Sequence, residues 1–221
     1  MTILVVNPNS NPDVTAAIEQ TAAAFRLDET TKIEVQDLAE APFGIESQRD
    51  GDLVAPMLTD IAAERRDLTG LVIACFSDPG LAACREVAPC PVWGIGEAAV
   101  ATALARADTA GVVALSTGSV ARHWRAWRRL GVATRIVGEE PVSLSVAQSG
   151  DRDVLPALAE AGQRLIRRGA DIIIMGCAGM GGQAHDLEQR LGVPVIDPVA
   201  AGIGMALAHV LSGRHALAAG L

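Results

Sequence analysis

The sequence has no tyrosine, only 3% of its 221 residues are aromatic, and its single lysine is Lys32. The base-stacking platforms that bind nucleic acids are built from aromatic side chains, so they are poorly supplied here. Lys32 lies in a predicted strand and follows no glycine-rich loop, which excludes a phosphate-binding loop of the Walker type. The same shortage argues against Schiff-base or pyridoxal chemistry, which needs a lysine amine.

Histidines and long apolar runs are scarce as well. The four histidines, at 123, 185, 209 and 215, show neither HExxH spacing nor pairing with a CxxC, so we expect no metal site. No apolar run reaches the roughly 18 to 20 residues that a membrane helix needs. The opening residues, MTILVVNPNS, lack the basic start and small-residue cleavage site of a secretory signal. We therefore expect a cytoplasmic protein that is not attached to a membrane.

Acidic residues outnumber basic ones, for a formal net charge of −8, and half of all residues are apolar. That composition predicts a folded protein with a well-filled core. Arginines are scattered except in RHWRAWRR at residues 122–129, which we interpret as the solvated face of an amphipathic helix rather than a nucleic-acid patch. We expect neither nucleic acid nor a membrane as a partner.

Short apolar, β-branched runs alternate with alanine-rich segments of helical period along the chain. The predicted strands cover residues 3–6, 33–35, 71–74, 91–93, 112–115, 132–137, 172–175 and 193–196. The predicted helices lie near residues 12–26, 51–66, 79–87, 97–107, 118–130, 152–168, 180–191 and 198–212. Buried parallel strands read as continuous apolar runs, and strand–helix alternation implies right-handed crossovers. The sequence therefore predicts an α/β protein made of two sets of four strand–helix units.

The two sets resemble each other in order and spacing. An apolar strand ends in cysteine at residues 71–75 and again at residues 173–177. PVWG follows 16 residues after the first cysteine, and PVID follows 17 residues after the second. Further upstream, residues 4–10 correspond to residues 113–119, and the loops over residues 38–50 and 138–150 are similar in length. Four matched segments in the same order indicate a duplication.

A duplicated α/β unit predicts two pseudo-symmetric lobes, each a four-stranded, mainly parallel sheet flanked by helices, with the active site in the cleft between them. We expect residues 1–97 to form the first lobe and residues 98–197 the second. A C-terminal helix over about residues 198–221 is free to pack on the first lobe instead of the second.

Cys75 and Cys177 stand at the carboxyl ends of equivalent strands, where open α/β sheets bind their ligands. A helix N-terminus after such a cysteine lowers the pKa of its thiol. One thiolate and one thiol on opposite faces of a carbon atom are what stereoinversion requires. A strand-end cysteine on its own indicates packing, and we assign that role to Cys84 and Cys90, which have no counterpart in the repeat.

Four segments together resemble the hydantoin racemase family, which includes allantoin racemases and belongs to the aspartate/glutamate racemase superfamily. They are NPNS at 7–10, ACFSDPG at 74–80, GIGEA at 94–98 and GCAGM at 176–180. The resemblance implies a homo-oligomeric enzyme without a cofactor. It also implies a two-base mechanism in which Cys75 and Cys177 are the catalytic pair. By the same resemblance, the substrate is held by Asn9, Ile45, Phe76, Ser77, Thr117, Gly118, Ala178 and Gly179.

The sequence departs from the amino-acid racemases of that superfamily in two ways. Those enzymes follow their cysteines with Asn-Thr and with Thr-His or Thr-Glu, whereas this chain has Phe-Ser and Ala-Gly. In addition, the segments 7–10, 74–80, 116–119 and 176–182 contain no arginine or lysine. Because burying an unpaired carboxylate is costly, we expect a neutral cyclic imide or ureide, and the resemblance implies a 5-substituted hydantoin or allantoin.

Two kinds of alternative stay open. The same cleft could support amino-acid racemisation or a cis–trans isomerisation, and a chain whose two thiols are structural would be a small-molecule binding protein. We expect His123 and His185 on the surface, because both fall within predicted helices. Glu97 follows a strand end and either reaches the cleft or complements the dipole of the helix that it begins.

Overall fold

The computed structural model describes residues 1–27, 29–144 and 152–218, which form two parallel sheets and the helices around them. The first sheet contains β1 (Thr2–Asn7), β2 (Lys32–Asp37), β3 (Leu68–Ile73) and β4 (Val92–Gly94). The second contains β5 (Ala110–Ala114), β6 (Ile136–Pro141), β7 (Ile172–Met175) and β8 (Val195–Ile196). The helices are α1 (Pro12–Ala23), α2 (Gln48–Glu64), α3 (Leu81–Val87), α4 (Ile95–Leu104), α5 (Thr117–Arg129), α6 (Leu155–Arg167), α7 (Ala184–Leu191) and α8 (Pro198–Ala218).

The strand orders are β2-β1-β3-β4 and β6-β5-β7-β8, and every pairing is parallel. The predicted fold class is therefore confirmed, and the two sheets share one topology. The central strands are buried throughout their apolar runs, as the continuous pattern of strands such as ILVV at residues 3–6 predicts. We compared the loop over residues 138–150 with residues 38–50. Residues 145–151 lie outside the described residues.

Local signals account for most element boundaries. The Asn11 side chain accepts a hydrogen bond from the Asp13 N–H at the start of α1, and Pro12 occupies the first helical position. Ser47 and Asp50 form a capping box at the start of α2. Two predictions need correction, because residues 133–135 form a 3₁₀ turn before β6 and residues 178–183 form a glycine-rich 3₁₀ helix before α7. Glycine weakens an α-helix, so the helix predicted from residue 180 begins at residue 184.

Four buried clusters show which helices cover which sheet. In the first sheet, one face packs against α1 and α8 and the other against α2 and α3. In the second sheet, one face packs against α4 and α5 and the other against α6 and α7. Thus α4 follows the first sheet but covers the second, and α8 follows the second sheet but covers the first. Because α4 and α8 also contact each other, this exchange ties the two sheets together.

None of the described helices is long and apolar enough to cross a membrane.

Candidate active site

A small pocket lies where the carboxyl ends of the strands of both sheets meet, with a cavity volume of about 60 Å³. The loops after β1 and β3 line it from the first sheet, and those after β5 and β7 line it from the second. Its walls are Asn9, Val14, Ile45, Glu46, Ala74, Cys75, Phe76, Ser77, Leu115, Ser116, Ser119, Arg122, His123, Leu144, Gly176, Cys177 and Ala178.

Cys75 and Cys177 both line this pocket, each two residues beyond the end of its strand. None of the four cysteines is in a disulfide. Cys84 is fully buried in the cluster beneath α2 and α3, and Cys90 packs against the same cluster, as we predicted for both. The sequence repeat therefore separates the two pocket thiols from the two packing thiols.

The Cys75 thiol lies in a turn and not at a helix end, because α3 begins only at Leu81. Its Sγ is 3.6 Å from the Ser77 Oγ. Burial raises the pKa of the Cys75 thiol, and the hydrogen bonds from Ser77 offset this only in part. The lowering of the pKa that we expected from a helix N-terminus is therefore wrong for Cys75.

Cys177 is placed differently. It is the N-cap residue of the 3₁₀ helix over Ala178–Gln183 and has an extended backbone. The preceding Gly176 donates a backbone hydrogen bond of 2.8 Å to the Val113 carbonyl. A side chain on Gly176 would lie 2.8 Å from the same oxygen, so this residue must be glycine for β5 and the Cys177 loop to approach so closely.

Asp78 anchors the Cys75 loop to the start of α4. Its backbone adopts a left-handed conformation with φ of 49°, and its carboxylate accepts hydrogen bonds from the backbone N–H groups of Gly96 (2.8 Å) and Glu97 (2.7 Å). Burial raises the pKa of Asp78 to about 7 despite these hydrogen bonds. Glu97 itself pairs with Arg85 at 3.1 Å and does not line the pocket, so of its two candidate roles the structure supports the one at the helix end.

Asn9 is held at the pocket wall by a buried network. Its Oδ1 accepts hydrogen bonds from the Asn7 side chain (3.1 Å) and from the Asn11 backbone (2.9 Å). Asn7 donates in addition to the Thr15 hydroxyl at 3.0 Å. Because its oxygen is engaged, Asn9 offers its amide N–H groups to a ligand.

The structure brings five of the eight predicted substrate-binding residues to the pocket, namely Asn9, Ile45, Phe76, Ser77 and Ala178. Thr117 and Gly118 are exposed at the first turn of α5, and Gly179 is buried in the 3₁₀ helix, away from the pocket wall. These three residues do not line the pocket in this structure.

Sequence reasoning missed the pocket face of α5. Ser119, Arg122 and His123 follow helical spacing of three and four, so they share the side of α5 that faces the cavity. Ser116 precedes the helix and lies at the same wall. The period was visible in the sequence, but the concentration of arginines led us to place the whole segment in solvent.

Arg122 puts a positive charge at the pocket that the four loop segments do not contain. Its Nη1 donates hydrogen bonds to the backbone oxygens of Glu46 (3.1 Å) and Gly118 (2.9 Å). It thereby ties the first-lobe loop before α2 to the first turn of α5. Arg125, Arg128 and Arg129 are exposed, as predicted for that segment.

His123 is buried, which corrects the surface location that we expected; His185 is exposed as predicted. The His123 ring is only 4% exposed and its Nδ1 lies 2.5 Å from Oε1 of Glu139 on β6. The rings of His123 and Phe76 pack edge to face, with their centroids 4.9 Å apart. Within the described part of the chain, no group of three or more His, Cys, Asp or Glu residues is arranged to hold a metal ion.

Comparisons with known proteins agree with this architecture. Residues 3–206 match the family model described as Asp/Glu/Hydantoin racemase. A hydantoin racemase from Rhizobium meliloti is 33% identical over 96% of this chain and 90% of its own length. A hydantoin racemase from Paenarthrobacter aurescens is 34% identical over 96% of this chain and 92% of its own.

Among solved structures, an allantoin racemase from Klebsiella pneumoniae superposes with a TM-score of 0.89 and 31% sequence identity, covering 96% of this chain and 89% of that one. Similarity of this extent, to relatives that are racemases, makes the protein an isomerase of the racemase type. The chain belongs to the Asp/Glu/hydantoin racemase family.

Proposed function

We propose that this protein racemises 5-substituted hydantoins or allantoin by moving one proton between two faces of the ring carbon C5. The observation that carries the proposal is that Cys75 and Cys177, from equivalent strands of the two lobes, line one small pocket. The relatives named above act on hydantoin or allantoin, which supports this substrate class. The size of the cavity is compatible with it, since about 60 Å³ has room for roughly four to six water molecules and hence for one five-membered ring.

In the first step, the thiolate of one cysteine takes the C5 proton. The C–H electron pair moves into the ring bond to the adjacent carbonyl carbon, and the carbonyl π pair moves onto oxygen to give an enolate. In the second step, the thiol of the other cysteine donates its proton to the opposite face of C5, and the electron pairs return. Nothing is oxidised or reduced, and the two cysteines exchange roles with the direction of reaction.

The protonated thiol of Cys75 is suited to the step that donates a proton to C5. Because burial raises the pKa of its thiol, Cys75 enters the cycle protonated, as the donor that delivers a proton to C5. Cys177, the N-cap of the 3₁₀ helix, then takes the proton from the other face.

The test follows an enantiopure 5-alkylhydantoin in D₂O by optical rotation and by deuterium incorporation at C5. We expect wild-type protein to lose rotation and gain deuterium together. Cys75→Ser and Cys177→Ser each lower the racemisation rate by at least about 10²-fold, because each removes one acid–base group. Cys90→Ser, which changes a thiol outside the pocket, keeps the wild-type rate.

Two outcomes would contradict the proposal. One is wild-type protein that leaves both the hydantoin and allantoin unchanged while an amino acid loses rotation, which would favour the alternative substrate that Arg122 could bind. The other is a single-cysteine variant that racemises as fast as wild type, because a one-base mechanism would then suffice.

A further inference from the structure

The buried pair of His123 and Glu139 is a polar feature of the pocket that the two-cysteine mechanism does not use. The Glu139 side chain is fully buried, and its second oxygen has no hydrogen-bond partner among the described residues. His123 lines the same cavity as the two thiols. Since Nδ1 is engaged with Glu139, Nε2 is the ring nitrogen left for a ligand.

The first lobe shows that the fold does not need this pair. In the repeat, Leu4 corresponds to Val113, an offset of 109 residues, so His123 corresponds to Val14, which also lines the pocket. By the same offset Ile3 corresponds to Val112, and the strand registers pair Ile3 with Ile33 and Val112 with Glu139. Val14 and Ile33 belong to one buried apolar cluster. An apolar pair in one lobe therefore stands where the other lobe has an imidazole and a carboxylate.

Burial also determines what the pair offers to a ligand. An isolated negative charge in this cluster would be costly, and the described residues give Glu139 no ion-pair partner other than His123. Nδ1 and Oε1 are 2.5 Å apart with one proton between them, so the ring meets a ligand through Nε2, on the side that faces away from Glu139.

We propose that His123 is a third catalytic residue, whose Nε2–H donates a hydrogen bond to the carbonyl oxygen next to C5 and strengthens this bond as the oxygen becomes an enolate. This inference rests on the proposed function and adds the group that stabilises its intermediate. Arg122 supplies charge, but its Nη1 is committed to two backbone oxygens and its Nε is sealed from the cavity. His123 is fixed by Glu139 and by the edge of Phe76, which keeps the donor in place before the substrate binds.

The first experiment replaces the pair by its counterpart from the first lobe, in the double variant His123→Val/Glu139→Ile. Removing both partners of a buried pair leaves no unpaired charge, so we expect a free energy of unfolding close to that of wild type. We expect kcat for C5 proton exchange to fall by about 10²-fold, the usual effect of removing one oxyanion donor, while KM changes by less than about threefold. A kcat within about threefold of wild type would overturn the inference, and so would a rise in KM that accounts for the whole loss.

The second measurement is independent of the folding of that variant. In ¹⁵N-labelled protein with the other three histidines replaced by glutamine, the nitrogen NMR spectrum of His123 reports which ring nitrogens carry protons. We expect Nε2 to be protonated and its signal to move when a hydantoin binds. An unprotonated Nε2 would overturn the inference even if the double variant were unfolded.

The two proposals fail in different ways. If wild-type protein exchanges no C5 proton, the proposed function and the donor role are both overturned. If wild-type protein is active, Cys75→Ser is inactive and the double variant keeps its kcat, only the role of His123 is overturned.

Discussion

The loops that carry Cys75 and Cys177 follow equivalent strands, β3 and β7, and each lies close to a half-buried carboxylate, but the carboxylate comes from opposite sides of the junction. In the first lobe Asp78, three residues after the cysteine, reaches forward to the backbone at the start of α4. In the second lobe Asp197 stands at the start of α8, where it accepts a hydrogen bond from the Val199 N–H at 2.8 Å. The Cys75 loop therefore contributes the carboxylate itself, whereas the Cys177 loop packs through Gly181 against a carboxylate that caps the next helix.

Glycines occupy the complementary positions. A methyl group on Gly94 would lie 2.3 Å from the Asp78 carboxyl group, and one on Gly181 would lie 2.5 Å from that of Asp197. Each lobe thus joins one carboxylate to one glycine where a cysteine loop meets the next helix, with the two residue types exchanged. Both lobes therefore have the same close approach, but the carboxylate and the glycine have exchanged places between the cysteine loop and the next helix.

The largest expected effect comes from a second close approach in the first lobe, where Gly96 packs against the backbone of the Cys75 loop. In Gly96→Ala, the new methyl group would lie 2.1 Å from the Phe76 carbonyl oxygen, which is backbone and cannot turn aside. We expect a loss of stability at the upper end of the usual 1–3 kcal/mol, roughly 3 kcal/mol, together with loss of racemisation. Urea unfolding measures the first effect and optical rotation the second.

The matched control is Gly182→Ala in the other cysteine loop. That residue is exposed, and the nearest atom to a new methyl group is the Gln20 side-chain oxygen at 3.8 Å. We expect the free energy of unfolding of this variant to lie within about 0.5 kcal/mol of that of wild type. Equal losses in the two variants would mean that the close approach at Gly96 is not what positions the Cys75 loop.

The next effect is a pH dependence of stability that comes from the two carboxylates. Burial raises the pKa of Asp78 to about 7, so the folded state binds its proton more tightly than the unfolded state, whose pKa is about 4. The resulting stabilisation is complete below about pH 4 and is lost as the pH rises to about 7. In Asp78→Asn this contribution is absent, so the stability advantage of wild type over the variant shrinks across that interval.

Asp197→Asn sharpens the same measurement. Burial also raises the pKa of Asp197, so the sign of the pH dependence is the same in both lobes. Urea unfolding of wild type and both variants between pH 4 and pH 8 gives the two difference curves. A difference that is constant with pH for Asp78→Asn would show that its carboxyl group is solvated in the folded protein.

Strand and helix locations could be predicted because they depend on local pattern. Apolar runs mark the buried parallel strands, and Asn11 with Pro12 marks the start of α1 wherever the helix later packs. The exchange of α4 and α8 between the two sheets has no such signal, since it depends on contacts that form only in the folded chain. The same holds for the pKa of Cys75, which is decided by burial and not by its neighbours in sequence.

Within the site, the differences between prediction and structure have a geometric cause. The resemblance placed Thr117 and Gly118 at the substrate, yet each step along a helix turns a side chain by about 100°, and the pocket wall is formed by Ser116 and Ser119 instead. His123 was misplaced because a buried histidine becomes favourable only through Glu139, which is 16 residues away in sequence. A pairing between α5 and β6 cannot be read from either segment alone.

The smallest of these effects concerns a difference between α1 and α5. By the repeat offset of 109 residues, Arg122 corresponds to Asp13, which is exposed, whereas Arg122 donates to Glu46 and Gly118 and so joins the two lobes at the pocket. In Arg122→Ala we expect KM to rise about tenfold, equivalent to about 1.4 kcal/mol, because the loop before α2 loses its hold on α5. Arg128→Ala, on the exposed side of the same helix, is expected to leave KM unchanged. Equal KM values in both variants would mean that the bridge does not shape the pocket, and that the two lobes are held in register by α4 and α8 alone.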